Sequence, residues 1–247
     1  MVEVRGLPGF RDFYPDQLAV RSHVMAIWRD VARRYGFEEY DGPPLEPLEI
    51  YTRKSGEEIV QQLYEFEDKG GRRVALRPEM TPTLARMVGA RARSLKKPIR
   101  WFSAPQLFRY ERKQRGRLRE HFQLNLDILG ESDVLADAEL LAAGIDILRS
   151  FGLSSSQVRA RVSDRRVLAA IFRHLGVEEA KLEAVYQVVD KLDREPRDRL
   201  ADRLADVGLA AGTVDAIFAV TRLRGTEELR AEFGAVPEVA ESIEQLS

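Results

Sequence analysis

The sequence contains no cysteine, which excludes disulfides and thiolate metal sites. Histidine is nearly as scarce: His23, His121 and His174 lie far apart, too few and too scattered for a zinc centre. Charge of one sign is missing as well. Lys and Arg number 39 against 40 Asp and Glu, a formal net charge of -1, so no global field draws in nucleic acid and any basic site must be local. No apolar run approaches the roughly 20 residues that span a bilayer. The opening "MVEVRGLPGFRDFYPDQ" lacks the apolar stretch of a secretory signal. Four motifs are absent too: a GxxxxGK[ST] loop, a GxGxxG turn after a strand, a GxSxG elbow and an HExxH pair. A nucleotide site would have to be built in another way. What remains is an ordinary soluble balance, 44% hydrophobic and 32% charged over 247 residues, enough for a large core. A cytoplasmic protein without a membrane partner is expected.

The chain reads as α+β followed by all-α. "GLPGFRDFYPDQ" is a Gly/Pro-punctuated loop that leads into a helix, with Asp16 in the N-cap region and Gly36 as its stop. Val20, Val24, Ile27, Trp28, Val31 and Ala32 form its apolar face. "FEEYDGPPLEPLEIY" is broken by three prolines, so it is an edge or interface strand at best. "DKGG" splits "QLYEFEDKGGRRVALRPE" into a hairpin. "TPTLARMVGARARSL" is a helix opened by Thr81, with Pro82 at its first position. "IRWFSAPQLFRYE" and "EHFQLNLDILG" are two strands joined by a basic loop. A helix follows, capped by Ser132 or Asp133 and stopped at Gly152, and then a short alternating strand, "QVRARVS". From about residue 164 onward, helices succeed one another with short Gly or Pro breaks.

The two strands around the basic loop carry the chemistry. Alternate side chains of a strand share a face. His121, Gln123, Asn125 and Asp127 therefore lie on one face of the second strand, while Phe122, Leu124, Leu126 and Ile128 lie on the other and must pack on helices. By the same parity Arg109 and Glu111 point one way. A sheet face bearing Arg, Glu, Gln, Asn and Asp suits the floor of a polar ligand site, although a half-solvated antiparallel sheet shows the same alternation. Arg112, Lys113, Arg115, Arg117 and Arg119 crowd the connection. Arginine suits bidentate phosphate contact, while a solvated hairpin tip would look alike.

These residues carry a family resemblance. "FRYE", the basic loop and "REHFQLNLDILG" resemble the second signature motif of class II aminoacyl-tRNA synthetases, and in closer detail that of the histidyl-tRNA synthetase family. "GFEEYDGPPLEP" is similar to the first motif, with Pro43 in the place of its dimer-interface proline. "LRPEMTPTLARM" resembles the amino-acid loop, "GFRDFYP" the family's opening, and "VVDKLDREP" part of its helical insertion. The five stand in the family's order.

The resemblance implies a class II synthetase-like antiparallel sheet flanked by helices. Residues 1–163 would form the catalytic core with motifs 1 and 2, and 164–247 a helical insertion-type module. It implies ATP-dependent activation of histidine and transfer to tRNA by a homodimer that uses ATP and Mg2+, with no metal-ligating side chain among its site residues. By position, Arg109 would hold the α-phosphate and the adenylate, and thus the bound histidine too. Glu111 would lie near the adenine amino group, His121 would stack on adenine, and Arg117 would reach the γ-phosphate. Glu79 and Thr81 would bind the α-amino group, and Gln123 and Asp127 would line the side-chain pocket. The family's second histidine-binding segment, its third motif with another ATP-binding arginine and its anticodon-binding domain have no counterpart in these 247 residues. A fragment of a longer ligase, inactive or weakly active alone, is therefore expected. A truncated paralogue is the alternative on that point. In function, the alternative is the synthetase-like regulatory subunit of ATP phosphoribosyltransferase, disfavoured by the retained "FRYERKQRGR" loop and "DKLD". A nucleic-acid-binding module lacks a stacking motif.

Overall fold

The computed structural model of the protein describes residues 5–53, 60–111, 116–192 and 194–244. Arg112, Lys113 and Arg115 of the basic loop, and Asp193 of "VVDKLDREP", lie outside the described residues. The chain divides into two compact units, Met1–Ala160 and Arg161–Ser247.

In the first unit, helix α1 (Pro15–Arg34) starts with proline at its first position, where the missing N–H costs nothing. Asp16 therefore falls in the first turn and does not cap: Tyr14 is the capping residue, and it makes no side-chain bond. The expected apolar face is buried only at its end, at Val31 and Ala32, whereas Val20 is 66% exposed. The proline-rich segment supplies two short edge strands, β1 (Glu38–Glu39) and β2 (Leu45–Pro47), before the short helix α2 (Glu49–Thr52). β3 (Tyr64–Glu67) and β4 (Arg73–Leu76) form the expected hairpin, and β2 pairs antiparallel with the far side of β4. Helix α3 (Thr81–Arg91) begins at Thr81 itself. Pro82 is thus its second residue, and Thr81 supplies no side-chain cap.

The strand "IRWFSAPQLFRYE" is divided into β5 (Ile99–Ser103) and β6 (Gln106–Phe108). Its partner is divided into β7 (Glu120–Phe122) and β8 (Asn125–Leu129). Pro105 has no N–H to donate, so the ladder is interrupted there. The register is not lost. Ser103 opposes Asn125 on one side of the break and Gln106 opposes Phe122 on the other, with Gln123 N–H donating to Pro105 O at 3.2 Å between them. Arg109 N–H donates to Arg119 O at 3.0 Å and extends the pairing beyond β6. Parity therefore survives from Ile99 to Leu129. On the apolar face, Phe102, Leu124, Leu126 and Ile128 pack with Ala32, Phe37 and Leu140, so that face lies on α1 and on helix α4 (Val134–Ser150). α4 is capped by Asp133, which accepts from Leu135 N–H. "QVRARVS" forms no strand: residues 157–163 run without a ladder partner among the described residues, and Val162 is 61% exposed. Alternation alone cannot make a strand that has no neighbouring edge to pair with.

The second unit is all-helical: α5 (Arg165–His174), a 3₁₀ turn at Glu179–Lys181, α6 (Leu182–Val189), α7 (Arg197–Asp206), α8 (Ala211–Val220), α9 (Gly225–Phe233) and α10 (Pro237–Glu244). Asp164 caps α5 by accepting from Arg166 N–H and Val167 N–H. Ile171, Phe172, Leu200, Leu204, Ile217 and Ile243 are its fully buried centre. Each such side chain is worth about 2 kcal/mol of burial, so the unit carries a core of its own.

Candidate functional site

The conserved parity of the β5–β8 hairpin places Arg109, His121, Gln123, Asn125 and Asp127 along one face, from its open turn end to its covered end. Tyr40, Met80 and Leu84 pack with Trp101 and Leu129 at the covered end. This cover is what separates the face from an ordinary half-solvated sheet.

At the turn end, Arg109 still bonds across to Arg119, and Glu111 lies past the last cross-strand bond. A tight turn in which Glu111 N–H donates to Arg109 O at 2.8 Å brings them together, where strand alternation had been expected to do so. Arg109 Nε–H donates to Pro78 O at 3.0 Å, so the guanidinium is anchored on the "RPEMT" loop. Arg117 faces Glu111 at 3.4 Å, with its side chain 61% exposed. Burial, and next the Arg109 guanidinium, hold His121 below the usual imidazole range; Gln123 and Glu111 pull the other way. His121 is thus a half-buried flat ring, disfavoured in its charged form, on the same face as the anchored arginine. This end can bind an anion and stack on an aromatic base.

Farther along the face, Gln123 Nε2–H donates to Asn125 Oδ1 at 3.1 Å. Asp127 opposes Trp101 across the ladder, and burial raises its carboxyl pKa above the usual range. Its Oδ2 is buried and has no hydrogen-bond partner among the described residues. Glu79 is half-buried on the loop that anchors Arg109, and Thr81 is exposed at the start of α3. Pro43 is exposed on the β1–β2 connection. Among the described residues no group of three or more His, Asp or Glu side chains could hold a metal ion. Also among them, no helix is long and apolar enough to cross a membrane.

The family profile described as "Histidyl-tRNA synthetase" matches residues 9–247. The chain belongs to the histidyl-tRNA synthetase family. It is 50% identical over 194 residues to the histidine–tRNA ligase of Opitutus terrae, covering 78% of this chain and 44% of that protein. It spans about half the length of the curated relatives it matches. The fold is shared with the crystal structure of histidyl-tRNA synthetase from Nostoc sp. PCC 7120, with a TM-score of 0.84 and 21% identity over all of this chain and 57% of that one. It is also shared with a Bacillus halodurans protein described as an ATP phosphoribosyltransferase regulatory subunit/histidyl-tRNA synthetase. There the TM-score is 0.81 and the identity 18%, over all of this chain and 63% of that one. The fold alone does not separate the ligase from the regulator.

In this member of the histidyl-tRNA synthetase family, buried polar residues that periodicity passed over hold the frame of the face. Arg77 donates to Asp41 at 2.6 Å, Gly42 O at 2.7 Å and Gln106 O at 3.0 Å. It thereby ties the proline-rich segment to β6. Glu46 accepts from Thr83 at 3.1 Å and Arg86 at 2.6 Å. Glu120 is 3% exposed and accepts from Arg11 N–H, Arg11 Nε–H and Gln106. Arg77 stands inside "LRPEMT", so the motif itself was the signal for it. Glu46 and Glu120 look like ordinary surface carboxylates in the sequence, and only their distant partners in the fold reveal them.

Proposed function

We propose that the first unit carries the ATP- and histidine-binding face of a histidine–tRNA ligase, and that the second unit is the family's helical insertion-type module. The observation that carries the reading is the single register from Ile99 to Leu129. It sets an anchored arginine, an imidazole, an amide and a half-buried carboxylate in a row on one face, covered at its Asp127 end.

The ligand roles are those that the family resemblance implies, and the chemistry of each position suits them. Arg109 holds the α-phosphate and the forming adenylate, Arg117 the γ-phosphate, and His121 stacks on adenine with Glu111 near its amino group. Glu79 and Thr81 receive the α-amino group. Gln123 and Asp127 receive the imidazole, whose N–H needs an acceptor and whose charged form a carboxylate favours. No general base is needed, since the histidine carboxylate is already ionised at neutral pH. A carboxylate oxygen bonds to the α-phosphorus while the bond to the bridging oxygen breaks and pyrophosphate leaves. The protein contributes alignment of two anions and countercharge from arginine. Magnesium would travel with the triphosphate and would offset phosphate charge. The aminoacyl group then passes to the terminal ribose of tRNA. The reading carries with it a cytoplasmic enzyme that acts as a twofold dimer through the segment around Pro43.

The test is ATP–pyrophosphate exchange with each amino acid in turn, on the gene product that contains this chain. Exchange that depends on histidine alone is expected. Exchange with a different amino acid, or with none, contradicts the reading.

A further inference from the structure

Near Asp127, on and beside β5, lie two hydroxyls to which none of the roles above assigns a purpose. Tyr40 is 8% exposed and Ser103 is 1% exposed. Neither Tyr40 Oη, Ser103 Oγ nor Asp127 Oδ2 has a hydrogen-bond partner of ordinary geometry among the described residues, and all three atoms are buried. The topology brings them to one place. Tyr40 N–H donates to Phe102 O at 2.9 Å, which sets Tyr40 beside β5. Its ring packs on Trp101 with centroids 5.5 Å apart, and Trp101 is the ladder partner of Asp127. Ser103 is two residues on from Trp101 and so on the same face, opposite Asn125.

Buried polar atoms are nearly always paired in folded proteins, and each one left unpaired costs stability. Three on one face, beside the carboxylate that the functional reading gives to the imidazole, form a group that a polar ligand would satisfy together. We propose that Tyr40 and Ser103 are specificity-determining residues of the Asp127 pocket: their hydroxyls and Asp127 Oδ2 act as one polar floor that accepts a heteroaromatic ring bearing N–H groups and rejects an apolar ring of similar size. This rests on the reading of Asp127 as the imidazole acceptor. An apolar ring seated there would leave all three atoms unpaired, the kind of penalty that gives polar sites strong discrimination. The electrostatics agree. Burial pushes the Tyr40 hydroxyl up to about 12, with Ser103 opposing and Asp127 and Asp41 adding to the rise, while Arg77 lowers it.

Two measurements on the whole chain test this, with Tyr40→Phe and Ser103→Ala compared to wild type. In the first, the Asp127 carboxyl is titrated by carbon NMR without ligand. Replacing a hydroxyl dipole near the carboxylate by hydrocarbon makes its surroundings less polar, so its midpoint should move upward. An unchanged midpoint in both variants overturns the inference, whether or not histidine binds. In the second, the ratio of histidine to phenylalanine affinity is measured by calorimetry, with ATP affinity as the control. Each variant should lower that ratio about tenfold without altering ATP binding, and should melt no lower than wild type, since it loses an unpaired buried group. A lowered melting temperature with the ratio unchanged would show that the hydroxyls are structural only. A wild-type chain without preference for histidine, in which the Asp127 midpoint nevertheless moves, would count against the functional reading and leave the shared floor standing.

Discussion

Arg109 and Pro78 are joined by a 3.0 Å hydrogen bond from the guanidinium Nε–H to the main-chain carbonyl. It links the turn end of the β5–β8 hairpin to the "RPEMT" loop, so the proposed nucleotide and amino-acid contacts are positioned by one side chain. With Nε committed, the two terminal nitrogens supply the remaining fork of donors.

Arg109→Lys keeps the charge and loses the fork. A hydrogen bond to a charged group is worth about 1.5–3 kcal/mol, so ATP affinity should fall roughly tenfold or more. Fluorescence titration of ATP checks this, and an unchanged affinity contradicts the role given to Arg109.

Two groups on the face make opposite contributions to stability as pH changes. The folded pKa of His121 is depressed below 6.5, so its contribution is present above that value and is lost as pH falls through the folded pKa. The folded pKa of Asp127 is raised above 3.8, so its contribution is present below 3.8 and is lost as pH rises through the folded value. At neutral pH the ionised Asp127 therefore weighs against folding. Asp127→Asn should raise the urea midpoint at pH 7 and change it little at pH 3. A lowered midpoint at pH 7 would show that Asp127 is held by partners that the geometry does not include.

Glu120 is the buried carboxylate that ties Arg11, in the N-terminal loop, to β7. Glu120→Ala leaves Arg11 N–H and Gln106 without their acceptor and should destabilise the first unit by about 2 kcal/mol or more. Glu120→Gln should cost less. Denaturant unfolding distinguishes the two, and equal stability of Glu120→Ala and wild type would contradict the assignment.

How much of this was legible in the sequence depends on the range of the interaction involved. The polar row His121, Gln123, Asn125 and Asp127 was legible because strand parity is local, and the common register kept it despite the break at Pro105. The caps show where local rules stop. Asp133 caps α4 as its residue type suggests, whereas Asp16 and Thr81 do not cap, since Pro15 and Thr81 already lie inside their helices. "QVRARVS" had the alternation of a strand and lacks a partner. Arg77 was signalled by its motif alone, whereas Glu46 and Glu120 were illegible because their partners lie 14 to 109 residues away.

The segment around Pro43 gives a prediction about assembly. Pro43 is exposed, Leu45 is 37% exposed, and β2 is an edge strand of its sheet. Self-pairing there would bury an edge that otherwise invites aggregation. Light scattering at tens of micromolar should give a dimer, and Pro43→Asp should shift it toward monomer. A wild-type protein that remains monomeric contradicts the proposed interface.

The central claim is that the Asp127 end of this face selects histidine. Calorimetric titration of histidine into wild type and Asp127→Ala tests it most directly. Removing the acceptor leaves the imidazole N–H unpaired, a cost of about 1–3 kcal/mol or more, so the variant should bind histidine at least tenfold more weakly. Equal affinity of wild type and Asp127→Ala for histidine would contradict the account.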